Sequence, residues 1–216
     1  MLILKLIANP LLFIISILGF LIGITVNKWA QAKTAVASGD LTPKLANRLT
    51  FNPFKHLDFW GTVYFLISGT GWAKPVPINP FNLKSPQKTP VKIILMGFLA
   101  NIILALIISI PVRLFNFGII PSTIITQQIN SCLQIIIEIN LLIVIFNLIP
   151  IPPLDGSKIL FAFMSQETQV LWARIGTFIL FGLLIAALLT SFNIFSLIIL
   201  PITQYLNYLV TAFPFS

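Results

Sequence analysis

The chain has 216 residues, of which 57% are hydrophobic and only 8% charged. Soluble domains carry about 25% charged residues, so this is an integral membrane protein, and its length suits one membrane domain over 1–216 with the lipid bilayer as its first partner. The net charge of +8 comes with no stacking or phosphate-binding module, which argues against nucleic acid, and the lone Cys132 rules out an internal disulfide or a cysteine-rich metal site.

Residues 2–31 read as the first span: an apolar run over 2–26, too long for a signal-peptide core, continues helically through Asn27-Lys28-Trp29-Ala30-Gln31. Residues 32–58 are polar, with turn signals at Gly39-Asp40 and Asn52-Pro53. Leu49-Thr50-Phe51 is a candidate short strand. The apolar run 59–72 falls short of the roughly 20 residues a crossing needs, so it is expected to dip and return, with full crossing as the alternative. Residues 73–92 are irregular, broken by Pro75, Pro77 and Pro80. Spans follow at 93–112 and 131–149, with the loop 113–130 on the opposite side. A closing hairpin uses 175–190 and 194–212 around Ser191-Phe192-Asn193. The expected fold class is an all-α polytopic membrane protein of about five to six transmembrane helices. It carries a short re-entrant or β-like segment between the first two full spans.

Lys28, Lys33, Lys44, Arg48, Lys55, Lys74, Lys84, Lys88 and Lys92 crowd into one stretch. Beside apolar spans, such a surplus marks the cytoplasmic side. If 59–72 returns to its side of entry, all nine share that side.

Two polar helix ends then lie at one depth. The first is Asn27–Gln31, where Asn27 and Gln31 are four apart and share a helix face, with Lys28 beside it. The second is Phe146-Asn147-Leu148-Ile149-Pro150-Ile151-Pro152-Pro153-Leu154-Asp155-Gly156. Its prolines cannot continue a helix normally. Broken backbone at membrane depth must line a cavity or be buried in protein. An ionisable residue such as Asp155 is costly there and marks a functional site by default.

These stretches resemble the site-2 protease family of intramembrane zinc metalloproteases (peptidase family M50). In that family the first span carries H-E-x-x-H, and N-x-x-P-x-x-x-x-D-G supplies a third ligand. Asn147, Pro150, Asp155 and Gly156 match the second pattern in full. Met96-Gly97-Phe98-Leu99-Ala100-Asn101 resembles the family's G-P-x-x-N, with Phe98 in place of proline. Gly71-Trp72-Ala73-Lys74-Pro75-Val76-Pro77 resembles its loop before the next span. The resemblance covers roughly residues 10–160 and implies a site-2-protease-like architecture.

The first pattern is lost. Asn27 and Gln31 stand where the histidines belong, and Lys28 where the glutamate belongs. Two histidines and a carboxylate would hold Zn²⁺ and leave one position open for its water. Amide oxygens are poor Zn²⁺ partners, and the Lys28 ammonium repels a cation. No cofactor is therefore expected, zinc only if the chain is an enzyme after all, and Asp155 survives as a vestigial ligand. His56, the only histidine, is expected to be structural. Glu138 falls mid-span and is expected to pair with Lys28, Arg174 or a backbone group. Asp155 has a plainer reading as the cap of a helix starting near Ser157. The sharper expectation is that Lys28 pairs with Asp155 or another nearby carboxylate, replacing the metal as a staple.

The leading functional expectation is a catalytically inactive pseudoprotease. It would bind transmembrane segments or a membrane partner through Asn147, Pro150, Asp155 and Asn101. Alternatives are an active intramembrane zinc metalloendopeptidase with an atypical site, and a transporter or channel subunit.

Overall fold

The computed structural model describes residues 9–86, 88–189 and 194–212. The expected start of the first span at 2–8 and the Ser191–Asn193 turn lie outside the described residues. Among the described residues there are eight α-helices: α1 (Pro10–Ala37), α2 (Thr42–Leu45), α3 (Phe59–Ser68), α4 (Lys88–Asn116), α5 (Ile124–Leu148), α6 (Asp155–Phe161), α7 (Gln166–Leu189) and α8 (Ile194–Ala212). Short 3₁₀ turns occur at Pro53–Lys55 and Pro80–Asn82. The described residues are helical without a strand. Leu49–Phe51 is bent chain, and the only β pairing is one antiparallel bridge, Leu57 to Ala73.

Among the described residues, three helices are long and apolar enough to cross a membrane: α1, α4 and α5. Relative to the expected spans, α1 continues to Ala37, α4 extends at both ends, from Lys88 to Asn116, and α5 begins at Ile124. The α1 helix opens with the Asn9 side chain accepting from the Leu12 amide and with Pro10 in its first turn. The α5 helix opens on a reciprocal capping box between Thr123 and Thr126, well before the expected residue 131. The α3 helix has only ten residues, about 15 Å of rise, bounded by an Asp58 cap on the Gly61 amide and a left-handed Gly69.

The central bundle is α1, α4 and α5 in mutual contact, with α8 against α4 and α5. Small residues let α1 approach α5. A Cβ on Gly19 would stand 3.3 Å from Ile139, and one on Gly23 2.6 Å from Ile143. Two small residues four apart are a common way for membrane helices to pack closely. The α3 helix docks on this pair, with Phe20 and Phe65 stacked at 4.0 Å between ring centroids. A second apolar cluster joins Tyr64 and Trp72 to Phe146, Leu154 and Leu180.

The segments before and after α3 meet. The Lys74 amide donates to the His56 carbonyl at 2.8 Å. The Arg48 guanidinium donates to the carbonyls of Lys74 (2.7 Å) and Pro75 (3.0 Å). Buried Asp40, just past α1, accepts from the amides of Thr42 and Asn79 and from the Asn82 side chain. These bonds hold the 40–83 region as one unit across the end of α1.

Candidate functional site

Asn27, Lys28 and Gln31 occupy one turn of α1, and all three are buried. The apolar run places this turn inside the bundle. Gly97 of α4 makes room for it, since a Cβ there would stand 2.8 Å from the Gln31 side chain and 3.1 Å from the Asn27 carbonyl. Asp155 arrives from the other side as the first residue of α6. The α5 helix ends at Leu148, the proline-rich turn reverses the chain, and Gly156 then lies directly on the Leu148 carbonyl.

The two helix ends meet through side chains. Lys28 Nζ forms an ion pair with Asp155 Oδ2. Gln31 Nε2 donates to the same oxygen at 2.8 Å and to Asn27 Oδ1 at 2.9 Å. Lys158 Nζ, one turn along α6, holds the other oxygen, Oδ1, at 2.9 Å. Lys28 Nζ also approaches Gln31 Oε1 at 3.4 Å. Both carboxylate oxygens are thus engaged by nitrogen donors. Paired charges in a low-dielectric site are stable only when hydrogen bonds satisfy them, and here they are satisfied.

The helix-cap reading of Asp155 is not what forms. Leu154 is the residue preceding the helix and makes no side-chain cap. The carboxylate turns instead toward α1. Lys158 was not anticipated, although its spacing of three from Asp155 on a short helix is a readable signal. Gly97 was quoted in a motif without the packing role it has.

The other expected residues lie apart from this cluster. Asn147 Nδ2 donates to the Ile143 carbonyl (2.9 Å) and to Gly71 (3.3 Å), tying the end of α5 to the segment after α3. The Pro150 carbonyl accepts from Trp172 Nε1 at 2.9 Å. Asn101, one turn beyond Gly97, is fully buried, and neither of its amide atoms has a hydrogen-bond partner among the described residues. His56 is buried, its Nε2 at 2.9 Å from the Thr50 carbonyl. Burial lowers its pKa, and Arg48 and Lys28 add to that against the opposing Thr50 bond. Glu138 takes part in neither ion pair found among the described residues.

The donor set does not fit a zinc ion. Among the described residues, no three His, Cys, Asp or Glu side chains converge on one point. At the expected position stand two amides and an ammonium, and Asp155 is already held by two lysines.

A helical membrane protein whose first span meets an Asp-Gly turn after a proline-broken helix has the frame of an intramembrane protease. The profile of Peptidase family M50 matches residues 8–183, and the chain belongs to that site-2 protease family. It is also similar to the Bacillus subtilis (strain 168) protein named "Putative zinc metalloprotease YwhC", with 36% identity over 145 residues. That match covers 67% of this chain and 66% of the relative, so the chain spans just under two thirds of that protein's length. No solved structure matches the chain.

Proposed function

We propose that this chain is a non-catalytic member of the site-2 protease family that binds transmembrane segments or a membrane partner without cleaving them. The observation that carries this reading is the Lys28 ammonium seated on Asp155, with Gln31 donating to the same oxygen. The family's third-ligand carboxylate is thereby satisfied by protein nitrogens. A segment entering the bundle would meet the unpartnered amide of Asn101, the broken backbone at Pro150 and Asn147 at the end of α5.

The topology belongs to the same reading. Meeting of the chain before and after α3 supports a helix that dips and returns. The lysines from Lys28 to Lys92 then share the cytoplasmic side, and the 216 residues form one membrane domain of five to six spans.

An active zinc endopeptidase remains the second reading, favoured by family membership and by the Bacillus relative's name. Purified protein assayed for zinc and for cleavage of a model transmembrane substrate separates the two. The expected result is zinc far below one per chain and no cleavage. Stoichiometric zinc that disappears in Asp155→Ala overturns the proposal.

A further inference from the structure

Beside the α1–α6 cluster lies an open cavity of about 590 Å³, in the size range of ligand pockets. Its walls are Pro75, Pro80, Pro86, Pro90, Phe161 and Met164, and its polar contributors include Lys158. The Lys158 side chain is 31% exposed while its Nζ holds Asp155. Two lysines therefore share one carboxylate, and the cluster carries one uncompensated positive charge that opens into this cavity.

The chain that supplies the wall residue Pro86 is basic too, with exposed Lys84 and Lys88 flanking it in sequence. The first turns of α4 and α7 also contribute, through Pro90, Gln166 and Gln169. Helix starts bring partial positive charge. Glu167 is the one acidic residue in the first turn of α7. On either side of the cavity, Phe81 is 95% exposed and Phe163 83% exposed. Each adjoins a wall residue, Pro80 or Ala162 and Met164. Lysines gathered beside the ends of apolar spans face the headgroup region, and the exposed phenylalanines add apolar surface next to them. An apolar pocket with a basic floor and a basic flanking chain at that depth is complementary to an anionic amphiphile.

We propose that this cavity is a binding site for an anionic phospholipid. The phosphate and its glycerol substituent contact Lys158 and the flanking lysines, and the acyl chains leave over Phe81 and Phe163. The inference does not depend on whether the family's catalytic site is active.

The test is native mass spectrometry of the detergent-purified chain titrated with phosphatidylglycerol or with phosphatidylcholine. Tighter retention of phosphatidylglycerol is expected, by about twenty-five-fold, from two or more lysine–headgroup contacts at about fivefold each. Lys158→Gln is expected to weaken it about fivefold, and Lys84→Gln with Lys88→Gln by a similar factor. Ala162→Trp fills the cavity without changing charge and is expected to abolish the preference, whereas Lys33→Gln, on α1 away from the cavity, leaves it intact. The lysine variants keep the test decisive if Ala162→Trp does not fold. Equal retention of both lipids, or a preference unchanged by the folded cavity variants, overturns the proposal. So does displacement by inorganic phosphate alone at the same concentration, which would assign a free-anion site. Saturable binding of an acidic peptide with no lipid preference would assign a protein partner and equally overturn it.

Discussion

Lys28 and Asp155 each have a charge that the bilayer core would reject singly, and each is tolerated because the other is there. Truncating one partner of a buried pair costs about 3–5 kcal/mol, because the remaining charge is stranded. Lys28→Met is expected near the lower end of that range, since Lys158 and Gln31 still hold Asp155. Thermal unfolding in detergent checks it. The double variant Lys28→Met with Asp155→Leu should lose less than the sum of the two single changes, and strict additivity would show that the pair is not coupled. Asp40 makes a pH-dependent contribution outside the spans. Burial raises its carboxyl pKa, but bonds from Thr42, Asn79 and Asn82 more than offset that and leave it lowered. A carboxylate with a depressed folded pKa stabilises fully above its unfolded value, near 3.9, and loses that contribution as pH falls through the folded one. Acid unfolding of Asp40→Asn should therefore be less steep below about pH 4 than that of the parent. Identical slopes would remove Asp40 from the account.

At the scale of elements, close approaches hold the site together. Gly97 admits Gln31 between α1 and α4, and Gly156 lets α6 fold back on the last turn of α5. Gly156→Ala forces a methyl onto the Leu148 carbonyl and should cost about 1–3 kcal/mol by overpacking. It should also tilt Asp155 away from Lys28, so that Lys28→Met on top of Gly156→Ala adds little. Full additivity in unfolding measurements would show that the α6 contact does not position the carboxylate. The register of Asn27, Lys28 and Gln31 and the turn at Asp155 were legible because helical spacing and proline punctuation are local signals. The meeting of those two turns is a long-range contact that no local signal carries; the structure shows it as the Lys28–Asp155 pair. The continuation of α1 to Ala37 and the capped start of α5 at Ile124 were not legible from apolar runs, since their polar turns lie outside the hydropathic core. Lys158 belongs to no motif and to no span end, and its i,i+3 spacing from Asp155 is the one local signal that points to it.

Across the whole molecule, the basic stretch and the stitched 40–83 region make a prediction about sidedness. In a Cys132→Ser background, single cysteines introduced by Lys44→Cys and Lys84→Cys should react with an impermeant thiol reagent from the same side, and one introduced by Ser122→Cys from the other. Opposite labelling at 44 and 84 would mean that α3 crosses. The frame itself can be tested by reversing the lost motif. Asn27→His, Lys28→Glu and Gln31→His together should bring zinc to about one per chain, because Asp155 already faces that turn. A folded triple variant without zinc would show that the two helix ends are too tightly or wrongly spaced for a metal. The same cluster makes partial reversal unfavourable. Lys28→Glu alone sets a second carboxylate against Asp155, where like charges raise each other's cost of ionising. Asn27→His or Gln31→His alone leaves the ammonium where a cation would have to sit. Each single step back toward the family's motif would therefore unsettle the Lys28–Asp155 pair before a metal could replace it, so the paired lysine acts as a ratchet on the site.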